Sequence, residues 1–181
     1  MRLMILTGGT SKRFGSDKSQ ALINGRTLLE IAIDGRQDVI VVGPQTSIPA
    51  TYIREKPESG GPVAAIAAGL SLVDTKLVAI VAVDMPFATR LIEKLESSLI
   101  NDAALAVDAD GIAQPLAGVY RSSALREAIA SFPNVANNSM KSLIEKLRVD
   151  LVPQVDTELL LDIDTQDELI RAVDLASRLA L

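Results

Sequence analysis

The chain has 181 residues, 48% hydrophobic and 23% charged, the balance of a soluble globular protein and enough for one domain over 1–181 with a core of its own. It contains no cysteine and no histidine, which excludes disulfides, cysteine nucleophiles, Ser-His-Asp hydrolysis and zinc sites built on thiolate or imidazole; a bound metal must take oxygen ligands and be a hard ion such as magnesium or manganese. A net charge of −5 argues against nucleic acid as a partner, and the absence of any apolar run long enough for a signal peptide or a bilayer span argues against a membrane, leaving the cytoplasm as the expected location.

In chain order, apolar runs of strand length alternate with helical patterns. Strands are predicted at Met1–Thr7, Asp38–Gly43 and Thr51–Arg54. A helix begins in Thr27-Leu28-Leu29-Glu30, a capping box in which threonine and glutamate each satisfy the other's backbone donor. Pro62 opens a helix running to about Val73. Leu77–Val83 is continuously apolar, as a central parallel strand buried on both faces should be. Helices follow over Thr89–Ile100, Ser122–Ser131 and Ser139–Leu147, with strands at Ala103–Val107, Leu116–Tyr120 and Val149–Pro153. A second capping box, Thr165-Gln166-Asp167-Glu168, opens the last helix. The alternation predicts an α/β sandwich with a mostly parallel central sheet.

The first strand runs into Thr7-Gly8-Gly9-Thr10-Ser11-Lys12-Arg13-Phe14-Gly15-Ser16-Asp17-Lys18. Its glycines allow backbone amides to approach an anion, Arg13 offers a planar donor fork and Lys18 a compact positive charge. A loop at the carboxyl end of a strand lies where open α/β sheets bind their ligands. Neither the P-loop spacing nor the dinucleotide fingerprint is present.

The second feature is Val83-Asp84-Met85-Pro86-Phe87, where Asp84 leaves the apolar strand. One rigidly held carboxylate together with substrate phosphates is a usual way to hold magnesium, although an aspartate at this place can equally cap the next helix. The third is Gly60-Gly61-Pro62-Val63, a glycine pair at a helix N-terminus, which favours anions or is an ordinary loop-to-helix junction.

These segments resemble the molybdenum cofactor guanylyltransferase family (the MobA-like nucleotidyltransferases). The family pattern Leu-Ala-Gly-Gly, three residues, Arg-Met-Gly, then Asp-Lys is matched by Leu6-Thr7-Gly8-Gly9, Arg13-Phe14-Gly15 and Asp17-Lys18, with Thr7 for alanine and Phe14 for methionine. Cys-Asp-x-Pro-Phe is matched by Val83 to Phe87, and Gly-Pro-Leu-Ala-Gly-Ile by Gly61 to Ile66 in part. Gln114-Pro115-Leu116 followed by Tyr120, and Asn138-Ser139-Met140-Lys141, resemble segments on the acceptor side, though each is equally a turn or a cap. Asp162-Ile163-Asp164-Thr165-Gln166-Asp167-Glu168-Leu169 resembles the closing motif, with Gln166 in place of proline.

The resemblance implies a Rossmann-like nucleotide-diphospho-sugar transferase fold, a three-layer sandwich, and an enzyme that transfers GMP from GTP to the phosphate of molybdopterin with release of pyrophosphate. It assigns Arg13 and Lys18 to the triphosphate, Asp84 to the metal, and Leu6, Thr7, Gly8, Gly9, Gly15, Glu55, Gly61 and Pro62 to the nucleotide. Gln114, Pro115, Lys141, Asp162 and Asp164 fall to the acceptor, with either aspartate able to approach the metal instead. For reading the base, Glu55 is the nearest acidic candidate, and Lys56 can align there instead. Proteins that deliver or accept the cofactor are implied as transient contacts. Cytidylyl transfer, transfer to another phosphorylated metabolite such as a sugar phosphate, and a nucleotide-binding regulatory protein without turnover are the alternatives.

Overall fold

The computed structural model describes residues 1–8, 21–153 and 155–181. Its strands are β1 (Arg2–Leu6), β2 (Leu22–Ile23), β3 (Arg26–Thr27), β4 (Val39–Val42), β5 (Thr51–Ile53), β6 (Leu77–Ala82), β7 (Ala103–Val107), β8 (Ala113–Arg121) and β9 (Val149–Val152). The helices are α1 (Leu28–Ile33), α2 (Pro62–Leu70), α3 (Ile92–Ser97), α4 (Ser122–Ala130), α5 (Met140–Ile144) and α6 (Gln166–Arg178). Among these residues no helix is long and apolar enough to cross a membrane.

A seven-stranded sheet in the order β5-β4-β1-β6-β8-β7-β9 forms the middle layer. β8 alone runs against its neighbours, antiparallel to both β6 and β7. The alternation of side chains along a strand divides the core in two. Leu3 and Ile5 of β1 and Val39 and Val41 of β4 face one cluster, where α1, α3 and α6 supply Leu28, Leu95 and Leu175. Met4, Leu6, Ile40 and Val42 face the other, closed by Ile66 of α2, Leu125 of α4 and Leu143 of α5. The result is the expected three-layer sandwich. With few aromatics available, close packing of small and branched chains makes it, and Ile5, Val41 and Ile80 are fully enclosed.

Most predicted boundaries hold within a residue or two, but the helices opened at Pro62 and after Ser139 end three residues early, at Leu70 and Ile144. The region expected as one helix from Thr89 to Ile100 is a 3-10 turn over Pro86–Leu91 followed by α3. Phe87, Ala88 and Leu91 are all drawn into the core there, tightening the turn. β8 starts three residues earlier than predicted because Pro115, which has no amide hydrogen, sits at a bulge. Leu105 pairs with Gly118 while Ala106 pairs with Gln114. The hairpin β2–β3 was not anticipated; its two-residue turn is Asn24-Gly25 with φ of 51° and 81°, the pair such turns favour. The Thr27 capping box forms as predicted, with the Thr27 amide 2.7 Å from Glu30 Oε2 and the Glu30 amide 3.1 Å from Thr27 Oγ1.

At the amino edge of the parallel strands, Asp102 locks β7 to β9. Its Oδ2 accepts from the Arg148 amide at 3.0 Å and from Nε at 2.9 Å, and its Oδ1 accepts from Nη2 at 2.9 Å. The Arg148 guanidinium, followed by its backbone amide, holds the Asp102 carboxyl down at about 2. A carboxyl depressed in the folded state contributes stability above its unfolded value near 3.9 and loses it as pH falls through the folded value. We therefore expect Asp102→Asn to cost about 1 kcal/mol at neutral pH, given solvent screening of the partly exposed pair. Urea unfolding should show the deficit intact above about pH 4 and vanishing towards about pH 2.

Candidate active site

The site lies at the carboxyl ends of β1, β4 and β6. Beyond β1, the Thr7 amide and hydroxyl both donate to the Val42 carbonyl, at 3.0 and 3.2 Å. The Gly43 amide in turn donates to Ile53 at 2.8 Å, and the Val83 amide donates to Leu6 at 3.0 Å. Gly43 has a φ of 154°, and a Cβ there would fall 1.8 Å from Thr7 Oγ1, so this residue must be glycine for Thr7 to sit where it does. Leu6, Thr7 and Gly8 thus emerge from the sheet as a continuation of its ladder. Gly9, Arg13, Gly15 and Lys18 lie outside the described residues.

Of the two candidates for the base-reading position, Glu55 is half-buried and Lys56 is exposed. Glu55 Oε1 lies 4.0 Å from where a Gly8 Cβ would stand and accepts from the Ser59 amide at 3.0 Å. Gly61, with a φ of 87°, is the N-cap of α2, and Pro62 follows it. As a glycine, the N-cap residue itself supplies no side-chain cap to the first turn. The Asn137 amide donates to Gly60 at 2.7 Å and ties the α4–α5 loop to the same junction.

Asp84 leaves β6 half-buried and meets two aspartates from the far end of the chain. Asp84, Asp162 and Asp164 each offer a carboxylate oxygen, all within 4.8 Å of one another. The residue between the latter two explains how: Ile163 is fully buried, and its amide donates to the Asp84 carbonyl at 3.0 Å. Three carboxylates at this spacing are an oxygen donor set of the kind that suits a hard divalent cation. The sequence left open which of the two aspartates approaches Asp84, and both do.

A cleft of about 660 Å³ opens beside the cluster, lined by Asp84, Asp162, Gln114 and Pro115 among others. Met140 lines it, whereas the neighbouring Lys141 is exposed on α5 and is not among the described lining residues. Sequence reasoning passed over Asp108, which lines the cleft and holds Gln114 by accepting from its Nε2 at 2.7 Å. The Ile112 amide, with smaller contributions from Gln114 and the Asp110 amide, keeps the Asp108 carboxyl below the ordinary range. The Asp110-Gly111 turn after a strand was the available signal for it. Arg171 was also missed; it is a basic group on a cleft wall otherwise rich in carboxylates. The Pro115 bulge is held from below. The Tyr120 ring crosses Gly118, where a Cβ would lie 2.9 Å from Cε2, and its hydroxyl donates to the Pro115 carbonyl at 2.5 Å.

A strand that ends in Thr7-Gly8 and a carboxylate cluster on the carboxyl edge of this mostly parallel sheet are the outline of a nucleotidyltransferase. The chain belongs to the MobA-like NTP transferase family, whose profile matches residues 3–151. It is 30% identical over 157 residues to a "Probable molybdenum cofactor guanylyltransferase" of Mycobacterium tuberculosis, covering 78% of each chain. It is 26% identical over 168 residues to a protein of the same name from Geobacillus, covering 84% of this chain and 86% of that one. The fold is shared with molybdopterin-guanine dinucleotide biosynthesis protein A from Archaeoglobus fulgidus, with a TM-score of 0.76, 22% identity and coverage of 98% and 100%. It is also shared with 2-C-methyl-D-erythritol 4-phosphate cytidylyltransferase from Thermus thermophilus, with a TM-score of 0.68, 20% identity and coverage of 97% and 98%.

Tyr120→Phe removes the donor to Pro115 and leaves that carbonyl without its partner. The expected cost is about 1 kcal/mol in chemical denaturation, with the ring packing over Gly118 retained.

Proposed function

We propose that the protein transfers GMP from GTP to the phosphate of molybdopterin and releases pyrophosphate, with magnesium, or manganese in its place, as the metal. The observation that carries nucleotidyl transfer is the position of Asp84. β6 lies between β1 and β8 in the sheet, so Asp84 stands between Thr7-Gly8 at the exit of β1 and the Gln114-Pro115 segment of β8. A nucleotide on the first side and an acceptor on the second would meet over the carboxylate cluster. The names borne by the relatives support guanine and molybdopterin as the two substrates.

In this reading, Leu6, Thr7, Gly8, Gly9 and Gly15 give the nucleotide a close backbone approach, and Gly61-Pro62 turns the α2 N-terminus towards its anionic part. The half-buried Glu55 carboxylate accepts the adjacent ring and amino N–H donors of guanine. Cytosine offers only an amino donor at its pairing edge, so it would satisfy this carboxylate less well. Arg13 and Lys18 neutralise the triphosphate. Asp84, with Asp162 and Asp164 beside it, would hold the divalent cation, whose chemistry is to offset negative charge on the phosphoryl oxygens. Gln114, fixed by Asp108, together with Pro115 and Arg171, orients the acceptor.

An acceptor phosphate oxygen then forms a bond to the α-phosphorus while the bond from that phosphorus to the bridging oxygen breaks, and pyrophosphate departs with the electron pair. A phosphate nucleophile is already anionic at neutral pH, which is consistent with a chain that has no histidine to act as general base. Alignment and charge neutralisation remain as the sources of rate.

Cytidylyl transfer is the second reading, favoured by the fold shared with the Thermus cytidylyltransferase. Titration calorimetry with GTP, CTP, ATP and UTP, each with and without magnesium, separates the two. GTP should bind tightest and only with the metal; preference for CTP would transfer the assignment, and no triphosphate binding would overturn it. Asp84→Ala and Lys18→Ala should each lower turnover by at least about 100-fold, roughly 3 kcal/mol, with an unchanged melting temperature. Near-normal activity in either would remove that residue from the mechanism.

A further inference from the structure

The capping box predicted at Thr165 forms by half, and its other half has been redirected. The Glu168 amide donates to Thr165 Oγ1 at 3.3 Å, as a cap requires. The Glu168 carboxylate, however, reaches one residue further back. Its Oε2 accepts from the Asp164 amide at 2.7 Å and from the Thr165 hydroxyl at 2.9 Å. In the Thr27 box the glutamate instead closes on the cap residue's own amide, at 2.7 Å. Glu168 is therefore spent on the loop that carries Asp164 and not on closing the helix. Together with the Ile163 amide, which donates to the Asp84 carbonyl at 3.0 Å, this fixes two successive amides between the two aspartates. Glu168 also lines the cleft, as does Asp162.

We propose that Glu168 is a positioning residue for the metal site: it braces the Asp162–Asp164 loop so that both carboxylates stand within reach of Asp84. The inference rests on the reading of these three aspartates as the metal ligands. Ligating carboxylates are held by outer partners whose loss weakens metal affinity by about 10- to 100-fold, because the ligand set must then be ordered at the moment of binding. In this chain the outer partner is itself an acid, so its charge and its hydrogen bond have to be separated by experiment.

The test is manganese binding by the full-length protein, followed by loss of the free Mn2+ signal in electron paramagnetic resonance, with melting temperatures recorded in parallel. Wild type should bind Mn2+ saturably and Asp84→Ala should not. Glu168→Ala should weaken binding at least tenfold. Glu168→Gln, which loses the charge but keeps an oxygen to accept the Asp164 amide, should stay within about threefold of wild type. Thr165→Ala, which loses the helix cap but leaves the Asp164 bond, should also stay within about threefold while lowering the melting temperature. Glu168→Ala binding like wild type would overturn the brace and leave the metal site standing. If Glu168→Gln falls as far as Glu168→Ala, the effect is charge and not position; if Thr165→Ala falls as far, it is general loosening of α6. Either result overturns the inference. Failure of wild type to bind, or equal binding by Asp84→Ala, would overturn the metal reading and the brace with it.

Discussion

The hydrogen bond from the Ile163 amide to the Asp84 carbonyl joins the two ends of the site. Asp84 follows β6 near the middle of the sheet, whereas Ile163 belongs to the segment that leads into the final helix. The Ile163 side chain is fully buried, so the strap is held by apolar packing as well as by the 3.0 Å bond. Ile163 is fully buried, whereas Asp162 on one side of it is exposed and Asp164 on the other is half-buried. The carboxylate cluster is therefore a consequence of core packing.

A second constraint comes from the single reversed strand. β8 is antiparallel to β6, so its beginning, and not its end, reaches the carboxyl edge of the parallel strands. That brings Gln114 and Pro115 to the cleft beside Asp84. A proline in a strand with a partner on each side would leave a ladder position unfilled, and the bulge between the Leu105 and Ala106 pairings absorbs it. Tyr120, five residues on, lies across Gly118 and fastens the bulge by its hydroxyl. Burial pushes the Tyr120 phenol far above its ordinary range, so it remains a donor throughout the accessible pH range.

Much of this was legible in the residues. The apolar run Leu77–Val83 announced a strand covered on both faces, and Pro62 and Thr27 announced helix starts, because burial and capping are written into local residue types. Asp84 at the exit of that run could be singled out for the same reason. The Asn24-Gly25 hairpin was equally local and was passed over because its strands are two residues each, too short to show alternation.

What the sequence by itself determined is the chemistry on offer: a histidine- and cysteine-free chain with a glycine- and base-rich segment after its first strand, one carboxylate just past a continuously apolar strand, and an acidic motif before its last helix. Only the tertiary structure decided which of these meet. Asp84 lies 78 residues before Asp162, and no periodicity relates them; their approach within 4.8 Å follows from sheet order and from the burial of Ile163. Likewise, Thr165 and Glu168 spell a helix cap in any context. That the glutamate grips the Asp164 amide instead depends on where the packed loop presents that amide, a matter of position in space that neighbouring residue types do not encode.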